Sequence, residues 1–101
     1  MYEIHKSRTF EKWLTGLKDI RAKAKVLTKL KQVSMGNFGN AKSVGSGISE
    51  LKIDYGPGYR VYYAKVGNCI VLLLNGGTKS GQNRDIEKAK DILEDWRKQH
   101  D

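Results

Sequence analysis

Six consecutive apolar residues at positions 69–74 (CIVLLL) place the strongest constraint on the fold of this 101-residue chain. The run is far shorter than the roughly 20 apolar residues of a membrane span, and its aliphatic composition favours a strand. A strand that is apolar at every position must be covered on both faces. We therefore expect this run to be the central strand of a sheet, with Cys69 in the core and residues 75–78 (NGGT) ending the strand.

Two segments before this run are predicted strands, and the first alternates between apolar and polar residues, which is typical of a half-buried strand. In residues 50–54, Leu51 and Ile53 should face one side of the sheet and the charged residues the other. Residues 59–66 form the second segment, and a Gly-Asn turn at 67–68 joins it to the apolar run. The residues predicted to share one face of this second strand are Arg60, Tyr62 and Ala64.

The N-terminal third shows helical periodicity after a short strand at residues 2–5. Ser7 or Thr9 is the expected N-cap of a first helix, and Asp19 that of a second helix running to about Val33. The apolar residues predicted to form the buried stripe of the second helix are Ile20, Ala24, Leu27 and Leu30. The cations predicted on its opposite face are Lys18, Arg21, Lys25 and Lys29.

The remaining segments complete the order β-α-α-β-β-β-α. Residues 35–47 are rich in glycine and read as a loop, long enough to suggest a functional role. Ser80 is the expected N-cap of a final helix, whose apolar face comprises Ile86, Ala89, Ile92, Leu93 and Trp96. We predict one α+β domain over residues 1–101. Its curved antiparallel sheet packs two N-terminal helices on one face, with the C-terminal helix close by.

The charge of the chain is strongly positive and uneven. Nineteen Lys and Arg residues oppose 11 Asp and Glu residues, which gives a net charge of +8. The N-terminal 34 residues hold nine of the basic and three of the acidic residues, so they carry +6. A field of this size favours a polyanionic partner or an acidic protein.

Cysteine and histidine usage restricts the chemistry. Cys69 is the only cysteine, so the chain has no internal disulfide framework. His5 and His100 lie at the two ends of the chain, which makes a structural zinc site unfavourable. We expect no metal and no cofactor. The first residues do not resemble a secretory signal, and we expect a cytoplasmic protein without membrane contact.

Several of these segments, taken in order, resemble a known family. They are residues 50–53 (ELKI), 59–63 (YRVYY), 72–79 (LLLNGGTK) and 82–89 (QNRDIEKA). The set is similar to the RelE/ParE toxin superfamily, and more narrowly to the phage-derived, HigB-like addiction-module killer proteins. The resemblance extends from Phe10 to Trp96. It implies a RelE-like fold and a type II toxin–antitoxin module, with a cognate helix-turn-helix antitoxin as partner and operator DNA contacted only through the complex.

Many members of this superfamily cleave mRNA in the ribosomal decoding site. Such cleavage needs attack by a ribose 2′-oxygen and stabilisation of negative charge on the phosphate, and fixed cations meet the second need. Arg60, Lys52 and Lys79 are the predicted catalytic cations, because the proposed strand pairing brings them together and a guanidinium can bind two phosphate oxygens. The alternative for Arg60 is an ion pair with Glu50 or Asp54 across the sheet.

The ribosome and mRNA are therefore the expected partners of the predicted nuclease. The residues predicted to bind RNA or the ribosome are Lys18, Arg21, Lys25, Lys29, Tyr55 and Tyr62, the tyrosines by stacking on a base. Neither histidine lies near the predicted cations, so the general acid and base are not identified. Positioning of the 2′-oxygen by the ribosome would compensate for this lack.

The expected function is thus that of a ribosome-dependent mRNA endonuclease, an mRNA interferase that inhibits translation. Two alternatives remain at this point. A ParE-like toxin would inhibit DNA gyrase without cutting RNA, and would need a protein-docking surface instead of the cation cluster. A non-catalytic nucleic-acid-binding module would use the basic face of the second helix, with strongly salt-dependent binding.

Overall fold

Five strands form one mixed sheet in the computed structural model, which describes residues 1–100. The strands are β1 (Glu3–Lys6), β2 (Lys42–Gly45), β3 (Ile48–Ile53), β4 (Tyr59–Val66) and β5 (Ile70–Thr78), in the spatial order β1-β5-β4-β3-β2. The helices are α1 (Arg8–Thr15), α2 (Ile20–Ser34) and α3 (Gln82–Gln99), and a 3₁₀ turn (Lys79–Gly81) precedes α3. The α+β class is therefore confirmed.

The sequence had suggested an antiparallel sheet, but one pair of strands in the structure is parallel. The pairs β2–β3, β3–β4 and β4–β5 are antiparallel, but β1 pairs with β5 in parallel. Short connections between consecutive strands make those strands antiparallel. No such connection links β1 to β5, because two helices and three strands separate them in the chain, so this pair can be parallel. Strand β5 lies beside the sheet centre, which β4 occupies.

The segment at residues 35–47 is only partly a loop, because it contains β2. A two-residue turn joins β2 to β3, and both of its residues, Ser46 (φ 57°) and Gly47 (φ 80°), have left-handed backbone conformations. Such turns match the twist of a hairpin. The Gly-Ser-Gly sequence at 45–47 was the signal for this hairpin that we missed.

Strand β5 continues beyond the glycines that were predicted to end it. Gly76 pairs with Val61 and Gly77 with Arg60, so the ladder runs to Thr78. Leu74 is an extra residue in a β-bulge, because Tyr62 pairs with Asn75 and Tyr63 with Leu73. At the other end of β5, Cys69 lies exposed in the turn that precedes the strand, so its predicted place in the core was wrong.

The helix starts follow the predicted caps at α1 and α2 but not at α3. The Ser7 side chain accepts a hydrogen bond from the Phe10 N–H (2.9 Å), and Asp19 accepts one from the Arg21 N–H (2.9 Å). Gly81 precedes α3 without a side-chain cap, and the Ser80 hydroxyl lies instead 3.1 Å from that of Thr78. The predicted Ser80 cap was therefore wrong.

The buried face of α2 also differs from the predicted stripe. The residues that α2 buries are Ala22, Val26, Leu30 and Val33. Ile20 is 82% exposed and Leu27 is 45% exposed. Ala22 and Val26 are buried in the first apolar cluster against the sheet, and only Leu30 belongs to both stripes. Periodicity alone favoured the larger residues and chose the wrong face.

Helices cover both faces of the sheet and create two apolar clusters. The first lies between α1, α2 and the sheet, and contains Leu51 and Ile53, whose predicted common face is confirmed. The second lies under α3 and contains Tyr62 and Ala64, with Ala89 and Leu93 as the buried residues of α3. The polar face of β3 and β4 therefore lies on the α3 side. Within residues 1–100, no helix combines the length and apolar character that crossing a membrane requires.

Candidate functional site

A group of polar side chains lies on the α3 side of the sheet, at the start of that helix. Strand register arranges it in two rows. Lys52, Arg60 and Gly77 are paired across β3, β4 and β5 in the outer row, and Glu50, Tyr62 and Asn75 are paired in the inner row. Gln82 and Asp85, at the start of α3, lie beside these rows. We call the buried and half-buried side chains of the whole group the polar cluster: Glu50, Arg60, Tyr62, Asn75, Gln82 and Asp85.

Arg60 and Glu50 form a buried ion pair at the centre of this cluster. Arg60 Nε lies 3.3 Å from Glu50 Oε1, and the two side chains are 5% and 6% exposed. Gln82, the first residue of α3, donates a hydrogen bond from Nε2 to Glu50 Oε2 (2.7 Å). The predicted alternative of an ion pair between Arg60 and Glu50 is thus confirmed. Arg60 Nε and Nη1 are buried and make no hydrogen bond to residues 1–100.

The other two predicted catalytic cations lie at the same end of the sheet as Arg60. Lys52 is exposed and sits directly across from Arg60 in the β3–β4 register. Lys79 is exposed in the 3₁₀ turn, and its backbone N–H donates to the Gly58 carbonyl (2.9 Å). A Cβ built on Gly58 would lie 3.6 Å from both Arg60 Nη1 and Lys79 Cβ. The guanidinium therefore points towards the backbone that carries Lys79.

A second concave surface, the α2–β3 cleft, lies between α2 and the end of β3 and has a volume of about 490 Å³. Its cationic members are Lys25, Lys29 and Lys52. Lys25 Nζ lies 5.4 Å from the centre of the Tyr55 ring, which is half-buried. The cleft therefore joins two cations predicted to bind RNA to the predicted catalytic Lys52, and Tyr55 contacts Lys25 from outside the cleft lining.

Two of the cations predicted on the α2 face occupy different positions. Lys18 lies in the connection between α1 and α2, before the N-cap Asp19, so it is not on the helix. Arg21 lies in the first turn of α2, exposed and near the Tyr55 hydroxyl, which contacts Asp19 (3.4 Å). Both side chains are exposed outside the lining of the α2–β3 cleft.

The structure leaves no room for the stacking role predicted for Tyr62. Its side chain is fully buried under α3, and its hydroxyl makes no hydrogen bond to residues 1–100. Burial, reinforced by the negative charges of Glu50 and Asp85, raises the pKa of Tyr62 to about 12. A base could contact this ring only if α3 moved away from the sheet.

Tyr62→Phe is expected to leave the free energy of unfolding unchanged or to raise it by up to about 1 kcal/mol, because the buried hydroxyl makes no hydrogen bond. The unfolded pKa is about 10, so the wild type should also lose stability as the pH rises from 10 to 12. The variant should lack that part of the loss. Urea unfolding at several pH values measures both. A clear destabilisation at neutral pH would show that the hydroxyl is hydrogen-bonded in solution.

Three members of the polar cluster, Asn75, Gln82 and Asp85, were missed in the sequence. Asn75 Nδ2 donates to the Asp85 carbonyl (2.9 Å), while Asn75 Oδ1 is buried without a partner among residues 1–100. The Asp85 carboxyl packs against Gly77, and burial raises its pKa, opposed by Arg84 and Lys88. The available signal was Gly77, which pairs with Arg60 across β4 and β5. A glycine within a strand leaves space for a side chain from another element, here that of Asp85.

Neither histidine approaches the polar cluster. His5 pairs with Glu3 (3.0 Å) on β1. His100 stacks on Trp96, with ring centres 4.0 Å apart, at the far end of α3 from Gln82. Among residues 1–100, no three His, Cys, Asp or Glu side chains are grouped so that they could hold a metal ion. The described site brings cations together at one end of the sheet, but it contains no imidazole for proton transfer.

Comparison with known proteins identifies a relative of nearly the same length. No family model matches the chain. An uncharacterized protein of Haemophilus influenzae is 50% identical to it over 88 residues, which cover 87% of this chain and 89% of that protein. The extent and level of this identity show that the chain belongs to the same family as the Haemophilus influenzae protein.

Proposed function

We propose that this protein is the toxin of a type II toxin–antitoxin module and that it cleaves mRNA on the ribosome. The observation that carries the proposal is the gathering of Arg60, Lys52 and Lys79 at one end of the sheet. Two of these cations are exposed, and Arg60 lies at the same end of the sheet in a buried position, paired with Glu50. Such an arrangement suits the charge that develops on a phosphate during cleavage.

The α2–β3 cleft supports the same proposal because it extends the positive surface away from Lys52. Lys25 and Lys29 line this cleft, and Tyr55 lies under Lys25. A single strand of RNA binds to proteins through phosphate contacts along a basic groove and through aromatic rings. We propose that the message enters through this cleft, with the bond to be cut near Lys52.

Dependence on the ribosome follows from what the site lacks. Glu50 is engaged by Arg60 and Gln82, whereas the Asp85 carboxyl lies against Gly77, and neither histidine is near the polar cluster. A site without a histidine for proton transfer is a weak catalyst, whereas precise placement of the 2′-oxygen supplies several orders of magnitude in rate. The mixed sheet with two N-terminal helices is compatible with the RelE-like topology that the sequence resembles, and this too remains part of the proposal.

A second candidate function is a nucleic-acid-binding module without catalysis. The burial of Arg60 in an ion pair favours it, because Arg60 is 4% exposed and already has a counter-ion. In that case the lysines of the cleft bind phosphates, and the Arg60–Glu50 pair belongs to the core.

The deciding experiment is a reconstituted translation reaction with purified protein, followed by mapping of RNA 5′ ends with and without ribosomes. The proposed function predicts new ends only on messages that are being translated. Intact RNA together with tight, salt-dependent RNA binding would favour the non-catalytic module. Intact RNA together with inhibition of DNA supercoiling would favour a gyrase inhibitor.

The role of the α2–β3 cleft can be tested with Lys25→Gln combined with Lys29→Gln. Each cation that contacts a phosphate of single-stranded RNA contributes about 0.7 to the slope of log affinity against log salt. The double variant should therefore lower that slope by about 1.4. Fluorescence anisotropy of a labelled RNA across a salt series measures it.

A matched control removes the same charge elsewhere. Lys90 and Lys98 lie on α3 and are already paired with Glu87 and Glu94. Replacing both lysines with glutamine should leave the slope close to that of the wild type. An equal loss of slope in the two double variants would show that net charge matters and that the cleft does not.

A further inference from the structure

Two oppositely charged side chains, Arg60 and Glu50, are buried together beside the exposed cations of the sheet. Both side chains are about 5% exposed, so the two charges have been removed from water. Buried ion pairs are poor stabilisers, because the loss of hydration offsets much of their attraction. The pair does keep the guanidinium beside Glu50, since Arg60 Nε lies 3.3 Å from Oε1, at ion-pair distance but without a hydrogen bond.

Gln82 restricts the carboxylate in turn. Its amide donates to Glu50 Oε2, while Arg60 Nε lies at Oε1, so both oxygens of Glu50 are engaged. Because Gln82 is the first residue of α3, this hydrogen bond joins the start of the helix to the sheet beside Arg60. The chain of contacts therefore runs from α3 through Glu50 to the guanidinium.

The Nη1 group of the guanidinium, like Nε, has no hydrogen-bond partner among residues 1–100. Arg60 Nη1 is buried, and it lies near Gly58 and the Cβ of Lys79. A buried donor without a partner is costly, and it is satisfied when an acceptor binds. The neighbouring cations Lys52 and Lys79 favour an anionic acceptor at this end of the sheet.

We propose that Glu50 and Gln82 are positioning residues for Arg60. Glu50 holds the guanidinium, Gln82 holds Glu50, and Nη1 is thereby directed at the Gly58–Lys79 backbone, which must move aside before a phosphate oxygen can reach it. The inference rests on the proposed function only for the identity of the phosphate as part of mRNA. The restraint on Arg60 is a property of the free protein and can be measured without any reaction.

The test uses Glu50→Gln and Gln82→Met, with Gln99→Met at the exposed end of α3 as the matched control. The first readout is the rate of message cleavage on ribosomes at saturating protein. We expect a fall of about 10²-fold for Glu50→Gln, because small misplacements of a catalytic group have effects of that size. We expect a fall of roughly 10-fold for Gln82→Met, which removes one hydrogen bond to a charged group. Affinity for the ribosome should not change.

The second readout is the side-chain Nε–H signal of Arg60 in ¹⁵N NMR spectra of the free protein. The wild type and Gln99→Met should show a rigid group with slow exchange, and Gln82→Met should show a mobile group with faster exchange. A purely structural role would change neither this signal nor the rate per folded molecule. If Glu50→Gln does not fold, Gln82→Met alone decides the result.

The possible failures are distinguishable. Wild-type cleavage and a rigid Arg60 Nε–H in folded Gln82→Met would overturn the positioning role and leave the proposed function standing. A wild-type protein that cuts no translated message would reject the proposed function. The NMR comparison would then decide the positioning role by itself: a difference between wild type and Gln82→Met supports it, and identical signals refute it.

Discussion

Replacing Arg60 with alanine is expected to lower the rate of message cleavage by about 10²–10³-fold, because the variant loses a preorganised charge near the reacting phosphate. It is also expected to lower the free energy of unfolding by roughly 3–5 kcal/mol, because Glu50 would remain as an unpaired buried charge. Arg60→Lys should recover little of the rate, since an ammonium group cannot bind two oxygens in the way a guanidinium does. Ribosome-coupled cleavage and urea unfolding on the same preparations measure both effects.

The loss of stability must be separated from the loss of activity. Combining Arg60→Met with Glu50→Leu removes both charges, and apolar replacements of buried ion pairs are often neutral or stabilising. This double variant should therefore unfold at a urea concentration close to that of the wild type while failing to cut translated messages. If the stable double variant still cut at nearly the wild-type rate, Arg60 would have no catalytic role and the pair would be part of the core.

Gly76→Ala is expected to lower the free energy of unfolding by about 1–3 kcal/mol, as overpacking of a core does. A Cβ on Gly76 would overlap the Trp13 ring, which itself packs against Phe10 and Tyr59. Gly76 does not have a positive φ, so the loss would be steric and not a matter of backbone strain. Urea unfolding of the purified variant gives the magnitude.

A double-mutant cycle identifies the cause of that loss. In a Trp13→Leu background the space beside Gly76 is larger, so the added methyl group should cost less than in the wild type. Equal losses in the two backgrounds would show that Trp13 does not limit residue 76. In that case the alanine would act on the β4–β5 ladder itself.

Local sequence patterns predicted correctly those features that depend on one strand or one helix cap. Alternation fixes which residues share a face, so Leu51 and Ile53 were assigned correctly. The caps at Ser7 and Asp19 depend only on residues within one turn of helix. The alternative of an Arg60–Glu50 ion pair was also within reach, since it needs only the pairing of β3 with β4.

Features that depend on a distant element were missed. Gly76 and Gly77 were predicted to end β5, but they continue its pairing with β4. They are glycines because Trp13 of α1 and Asp85 of α3 occupy the space that a side chain would need. The packing of α3 likewise buries Tyr62. The buried face of α2 was misassigned because two stripes fit its periodicity, and only packing against the sheet and α1 distinguishes them.

The exposed turn between β4 and β5 provides a single attachment point for chemical probes. Cys69 is the only cysteine of the chain and lies in this turn, so a maleimide dye would react at one position. Arg60 lies six residues before the end of β4, which corresponds to about 20 Å along the strand. A dye on Cys69 would therefore report binding of ribosomes or RNA from outside the cationic end of the sheet. Labelled protein thus allows affinities to be measured separately from cleavage.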